Sequence, residues 1–378
     1  MKRIAFLILL SAASSLAQQT SVSGTITDTS GAVIPEAVVR LLQQGGGATR
    51  STLTAPGGTY SFPALAAESY RLRVEVPGFT PAERTMSLLV GQTVTVDIQL
   101  QPANAATTVD VSAEITEIDV NSSQVGGNVD PGRMTNTPLN GRNWMELSLL
   151  VPGVTVNAVS TAPVGNGNQG RFQINVDGQQ VTQNAAGTGF GQPQYSREAM
   201  AQFQVITNRF DATLGRSAQL QVNAQTKSGT NSFHGSAYGY FRSDAVNAAD
   251  PIAQRVLPFK NQQFGGTFGG PILKDKLFIF GAYEGERQPS TVVTTPQGFG
   301  GQRFEFANDF STNTYLTRAD WQASTAHRLS LRFNKSTWRN PFGNVGGTTH
   351  PSQAARQTRD NHSFFTNWNW AAAPSLVS

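Results

Sequence analysis

The sequence predicts a mainly β protein: a small β-sandwich, then an α+β domain, then the first strands of an antiparallel transmembrane β-barrel. Three observations carry that expectation. The composition is turn-rich and weakly charged, with 37 Gly, 22 Phe and only 14% Asp, Glu, Lys and Arg, which disfavours a helical protein. Apolar and polar residues alternate with period two through most of the chain. An export leader is followed by no stretch of the ~20 apolar residues that a membrane helix needs.

The leader has the layout of a secretory signal. Lys2 and Arg3 form its positive end, Ile4 to Leu10 its apolar run, and Ser15-Leu16-Ala17 a small-x-small site, so cleavage between Ala17 and Gln18 is expected. The formal charge of +4 falls to +2 once Lys2 and Arg3 are removed, too small a balance to suggest nucleic acid as a partner. Cysteine is absent, which excludes disulfides, thiol catalysis and cysteine metal sites. Export without a helical anchor, together with barrel-type strands, points to the outer membrane of a Gram-negative-type bacterium. Only a closed barrel spans lipid without helices, because every backbone polar group must be paired there.

Residues 20–101 predict the sandwich. Val22, Gly24 and Ile26 alternate with Ser23, Thr25 and Thr27; Leu72, Val74 and Val76 with Arg71, Arg73 and Glu75; and Val94, Val96, Ile98 and Leu100 with Thr93, Thr95, Asp97 and Gln99. Turn residues such as Pro56-Gly57-Gly58 and Pro77-Gly78 separate the runs. Residues 102–114 begin with linker composition and continue into Thr107, Thr108, Val109, Asp110, Val111, Ser112 and Ala113, a β-prone run. Two readings stand for it: the first strand of the next domain, or a segment that pairs with an energy-coupling partner by strand addition.

Residues 115–225 predict the α+β domain. Asn143 caps a short helix with Glu146 three positions on, Trp144, Leu147, Leu150 and Val151 sharing one face. Phe172 to Gly178 alternates and closes in an Asp-Gly turn. Ser196 starts a second helical turn before the strand Phe203–Thr207. Residues 226–378 supply the barrel strands. Phe233, Ala237 and Phe241 oppose His234, Ser236, Tyr238 and Tyr240. Leu329, Leu331 and Phe333 oppose Arg328, Ser330, Arg332 and Asn334, and Phe364, Trp368 and Trp370 oppose Ser363, Phe365, Asn367 and Asn369. One face suits lipid and the other water or protein. About six candidates of roughly ten residues precede Ser378, so an incomplete barrel is expected. Trp321, Trp338, Trp368 and Trp370 read either as an interfacial girdle or as ordinary sheet packing.

Specific strings carry a family resemblance. Ser23 to Asp28, Gly31 to Ala37 and Gly58 to Phe62 resemble the carboxypeptidase regulatory-like domain, a transthyretin-like fold without an active site. Pro138 to Trp144, Leu149 to Val154, Asn175-Val176-Asp177-Gly178 and Phe203-Gln204-Val205 resemble the plug of TonB-dependent receptors. Thr226 to Ser236 and Phe264 to Pro271 with Lys276 to Glu284 are similar to the first barrel strands of the Oar-like branch. The resemblance implies an outer-membrane barrel filled by the plug, gated by TonB through Thr107 to Ala113, with residues 20–101 in the periplasm. A plugged barrel of this kind has roughly 22 strands, so the chain reads as a fragment.

No enzymatic constellation accompanies this pattern. Gly165 to Gly170 satisfies G-x-G-x-x-G but opens no helix and reads as a loop. His234, His327, His350 and His362 lack ligand spacing, no nucleophile elbow is present, and no cofactor is expected. The leading function is uptake of a ligand too large for porins: a metal chelate, an oligosaccharide or a peptide. The alternative is cell-surface binding, adhesion or protein handling without active uptake.

Overall fold

The computed structural model describes residues 20–44, 49–103, 125–139, 142–156, 163–165, 172–182, 194–207, 220–324, 327–343, 347–373 and 376–377. Among them no helix is long and apolar enough to cross a membrane. Three sheet systems follow one another along the chain.

The first comprises β1 (Thr20–Thr27), β2 (Val38–Gln43), β3 (Thr49–Leu53), β4 (Thr59–Leu65), β5 (Ser69–Glu75), β6 (Ala82–Ser87), β7 (Thr93–Thr95) and β8 (Ile98–Gln99). One sheet has the order β4-β1-β7, with β8 continuing along β1; the other runs β3-β2-β5-β6. Each alternation read in the sequence delivers its apolar residues to the shared core. Val22, Ile26, Phe62 and Ile98 from one sheet meet Val39, Leu41, Leu72 and Val74 from the other, all essentially inaccessible to water. Tyr60 adds a hydrogen bond from its hydroxyl to the Val96 carbonyl at 2.6 Å. A core this continuous predicts that residues 20–101 fold alone. The isolated segment is expected to melt in one cooperative transition with β-type circular dichroism, and a coil spectrum would refute it.

The second system contains β9 (Val125–Val129), α1 (Pro131–Asn136), β10 (Val154–Val156), β11 (Pro163–Gly165), β12 (Phe172–Val176), β13 (Gln179–Gln180), β14 (Met200–Thr207) and β15 (Leu220–Thr226), with 3-10 turns at Trp144–Leu150 and Arg197–Ala199. Its five-stranded sheet has the order β13-β12-β15-β14-β9, parallel only between β12 and β15. The expected caps form: the Asn143 side chain accepts from the Met145 N–H and Ser196 from Glu198. Trp144 and Leu147 pack into the core, Trp144 edge-on to Phe203 at 5.1 Å, whereas Leu150 ends the turn half exposed. The sheet has two characters. Ile174, Val176, Val222 and Val205 line an apolar face. Gln173, Asn175, Gln221 and Asn223 form a buried amide ladder on the other, its bonds running Gln173 to Asn175 and both Asn175 and Gln221 to Asn223.

The third system is one continuous antiparallel sheet in chain order: β16 (His234–Ser243), β17 (Lys260–Leu273), β18 (Leu277–Thr294), β19 (Phe304–Gln322), β20 (His327–Gly343), β21 (Ala355–Ala373) and β22 (Leu376–Val377). Registers are regular, so facing residues can be followed across strands: Gly281 pairs with Thr317, and Thr317 with Phe333. Tight turns join β17 to β18 and β19 to β20, while longer connections lie at the other end. The outward face carries Phe233, Phe241, Phe268, Trp321, Phe364, Trp368 and Trp370, all exposed. Trp338 departs from the girdle reading. Its register puts it on the inner face, where the Arg359 guanidinium lies 4.3 Å from its ring centroid.

Candidate functional site at the inner barrel wall

The five-stranded sheet and its loops sit against the inner face of the barrel sheet. A small apolar patch contributes, with Phe280, Ala282 and Leu316 joining the central core. Most of the named contacts are charged or polar, and they fall into two groups.

The first group surrounds Asp177. Asp177 and Gly178 form a two-residue hairpin with φ of 50° and 91°, the geometry that Asn-Gly and Asp-Gly favour. The turn presents the carboxylate to the wall. Its oxygens accept from the Thr226 N–H at 2.9 Å and hydroxyl at 2.8 Å. Arg332 donates to it at 2.6 Å, and Arg318 lies 3.4 Å away. Arg318 also donates to the Thr226 carbonyl at 2.9 Å and forms a bidentate pair with Asp320 at 2.8 and 3.0 Å. Arg328 and Ser330 complete the shell of Asp320. These are strand residues two apart on adjacent strands, which explains their convergence: inward positions recur every second residue. Arg332 is 2% exposed and Asp320 4%, so the charges lie where attraction is weakly screened. Burial alone would raise the Asp177 carboxyl, but the guanidinium groups of Arg318 and Arg332 and the Thr226 hydrogen bonds hold it below its ordinary value.

The second group is built on Arg142, whose φ is 56°. Its guanidinium donates to Glu198 at 2.8 Å, lies 3.8 Å from Glu284, and covers the rings of Tyr238 and Tyr240 at 4.8 and 4.3 Å. Glu284 accepts from the Tyr238 hydroxyl at 2.6 Å and from Ser196 at 3.2 Å. Lys227 stands 3.8 Å from Glu198. A guanidinium held between carboxylates and aromatic faces combines charge pairing with cation–π attraction.

The N-terminal sandwich reaches the same end of the assembly. The Ala67 carbonyl accepts from Gln202 at 2.8 Å, its N–H donates to Gln225 at 3.2 Å, and Glu68 accepts from Ser228 at 3.3 Å and from Gln43. A cleft of about 140 Å³ lies between this loop, Asp177-Gly178 and the wall residues Arg318, Arg328 and Arg332. Burial pushes the Glu68 carboxyl up, with Arg328 and Gln43 opposing.

Of the positions singled out from sequence, Ala17, Gln18 and Thr107 to Ala113 lie outside the described residues, as does most of Gly165 to Gly170. Among the described residues no cluster of His, Asp or Glu is arranged to hold a metal. His327 stacks on Trp368 and Trp370, His350 on Phe299, and His362 lies 3.5 Å from Asp360. The sequence marks Asp177 as a turn residue and Arg142 as part of a family string, but it does not reveal the charge partners of either. The available signal was the run of inward-facing charges Arg318, Asp320, Arg328 and Arg332.

Comparison with known proteins agrees with this architecture. Residues 21–101 match the carboxypeptidase regulatory-like domain, and residues 225–299 an outer membrane beta barrel domain. Over 368 residues the chain is 28% identical to the TonB-dependent transporter Oar of Myxococcus xanthus, an alignment covering 86% of this chain and 34% of Oar. Among solved structures it resembles a mutant of the ferric enterobactin receptor PfeA of Pseudomonas aeruginosa. The TM-score is 0.50 at 12% identity, covering 65% of this chain and 38% of that one. The outer membrane transporter YddB of Escherichia coli gives 0.49 at 14% identity, covering 65% and 36%. A regulatory-like sandwich ahead of a barrel sheet with a lipid-suited exterior and a polar interior defines a protein of the Gram-negative outer membrane. Within that class the chain is similar to TonB-dependent transporters of the Oar type, and it spans about a third of the length of the curated relative it matches.

Proposed function

We propose that this chain is part of an energised uptake receptor. The central α+β domain acts as the plug, Thr107 to Ala113 is the strand that TonB engages, and the sandwich lies in the periplasm. The observation that carries the reading is the seam itself. A domain that only stabilised the wall would be expected to pack through apolar surface; this one is held by Asp177 and Arg142 against inward charges of the barrel. Charged contacts are replaced by water when such a seam opens, so it can part and reseal without exposing a large apolar face. The similarity to the transporter Oar supports the same reading. The cargo is a ligand too large for passive pores, from the classes metal chelate, oligosaccharide or peptide, and the chain has no enzymatic role.

Strand addition uses backbone donors more than side chains. Val109→Pro is therefore expected to lower crosslinking to TonB about tenfold or more, as loss of one backbone hydrogen bond and a steric clash imply. Val109→Ala is expected to stay near wild type. Equal crosslinking by both variants and wild type rules out the coupling role.

A further inference from the structure

The N-terminal sandwich is fastened to two other parts of the molecule at once. Its loops 66–68, between β4 and β5, and 88–92, between β6 and β7, lie at one end and brace each other. The Leu88 N–H donates to the Glu68 carbonyl at 2.9 Å, the Tyr70 hydroxyl to the Ala66 carbonyl at 3.0 Å, and the Gly91 N–H to the Thr20 hydroxyl at 3.2 Å. This end sits on the amide face of the five-stranded sheet, where Gln202 pairs in register with Gln225, and Gln204 with Asn223. The peptide groups of Ala67 engage both members of the first pair, accepting from Gln202 and donating to Gln225. Gly91, with φ of 73°, comes so close to the second pair that a Cβ there would lie 2.7 Å from the Gln204 Oε1.

The contact buries residues of its own. Ala67 and Val90 are 6% and 5% exposed, yet neither belongs to the core of the sandwich or to that of the central domain. Among the described residues those two cores have no member in common, whereas Phe280, Ala282 and Leu316 of the wall are part of the central core. The sandwich is thus a separate body, held through backbone and amide hydrogen bonds, and such surface returns to water at small cost. The same end also reaches the wall. Ala67 and Val90 line the cleft of about 140 Å³ together with Arg328 and Asn369, and Gln43 faces Asp320 and Arg328 across a narrower one. Glu68 accepts from Ser228 in the connection between β15 and β16. A body fastened on both sides of a seam opposes separation of the two sides.

We propose that the sandwich is a latch. Docked through loops 66–68 and 88–92, it holds the central domain in the barrel, and it must leave the amide face before that domain can move. The inference rests on the reading of the central domain as the plug. Residues 104–124 join the sandwich to β9, the edge strand of the plug sheet. Tension along that connection therefore bears on the latch as well as on the plug. A sandwich that served only as a tether or spacer would need no matched contacts with both bodies.

The test needs neither TonB nor cargo, so loss of the coupling role at Val109 leaves its outcomes as they stand. The full chain in outer-membrane preparations carries Val90→Cys. Natural cysteine is absent, and a polar maleimide therefore reports on that position alone. Alkylation is expected to be slow in this parent. Ala67→Arg, a wedge on the sandwich side that alters no plug residue, is expected to speed it about tenfold or more. The pair Gln202→Ala and Gln225→Ala, which removes two hydrogen bonds from the plug side, is expected to do the same. Hydrogen exchange then reads the latch: β14 should lose protection in the Ala67→Arg variant while β19 keeps it. If that variant unfolds the sandwich, seen as lost protection of β2 and β5, the glutamine pair decides, read at β12, which carries neither substitution. Fast alkylation in the parent, or alkylation unchanged by the substitutions, refutes the docking. Faster alkylation with plug protection unchanged shows a sandwich that comes away without loosening the plug, and overturns the latch.

Discussion

Asp177→Asn is expected to loosen the central domain from the barrel wall more than any other single polar substitution in the seam. The change keeps the size and the turn but removes the charge that Arg318 and Arg332 share. Removing one partner of a buried ion pair costs about 3–5 kcal/mol, because the remaining charge stays desolvated. Hydrogen exchange of β12 and β15 in membrane-inserted protein measures it directly, and their protection should fall while that of β19 is retained. Adding Arg332→Gln to Asp177→Asn should recover part of the loss, since the stranded cation is then removed. Protection equal to wild type in the single variant would show that the seam does not depend on this pair.

The same carboxylate gives the seam a defined response to acid. Its folded-state value is depressed below 3.8, so its contribution is fully present above that ordinary value and disappears as pH falls through the depressed one. Glu68 works in the opposite direction. Its value is raised above 4.5 by burial, so its contribution is complete below 4.5 and is lost as pH rises through the raised value. Mild acidification is therefore expected to tighten the sandwich's dock at Ser228 before stronger acid weakens the seat at Asp177.

Gly24→Val is expected to be as damaging within the sandwich. A Cβ at position 24 would stand 2.0 Å from the Val96 carbonyl oxygen and 2.6 Å from its carbon, both backbone atoms. Relief requires β1 to separate from the segment joining β7 and β8, which breaks the Val96 N–H bond to Ser23 and the Tyr60 hydroxyl bond. The cost should reach or exceed the ~3 kcal/mol at the upper end of ordinary overpacking. In a domain of this size that is a large part of the total stability. Urea unfolding of isolated residues 20–101 reads the effect as a lower midpoint at similar slope; an unchanged midpoint would mean that the close approach is not maintained in solution.

The strands of the sandwich and barrel were legible because each is amphipathic with period two. Val22, Gly24 and Ile26, or Leu329, Leu331 and Phe333, announce both the strand and its buried or lipid-suited side. The Asp177-Gly178 turn was legible from its dipeptide and the 3-10 turns from their caps. Helix α1 was not read, although Asp130 accepts from the Arg133 N–H and Pro131 occupies the first turn, a recognisable start signal. The seam was hidden for a different reason. Asp177 meets Arg318 and Arg332 across more than a hundred residues of sequence, and a strand pattern tells which face a charge occupies without telling what stands opposite. Trp338 illustrates the same limit: residue type suggested the girdle, and only strand register placed it inside.

The lengths of β18 to β21 carry a consequence for the cell surface. A strand needs roughly 9–11 residues to cross the hydrocarbon, whereas β19 and β21 each have 19. At about 3.3 Å per residue and a tilt near 45°, each rises about 45 Å, some 20 Å more than the apolar band occupies. That surplus forms a stiff collar standing clear of the headgroups, held by backbone hydrogen bonding rather than by loop packing. The longer connections therefore stand on a preformed rim, so the height and spacing at which they meet a molecule from outside are set by the strands beneath them.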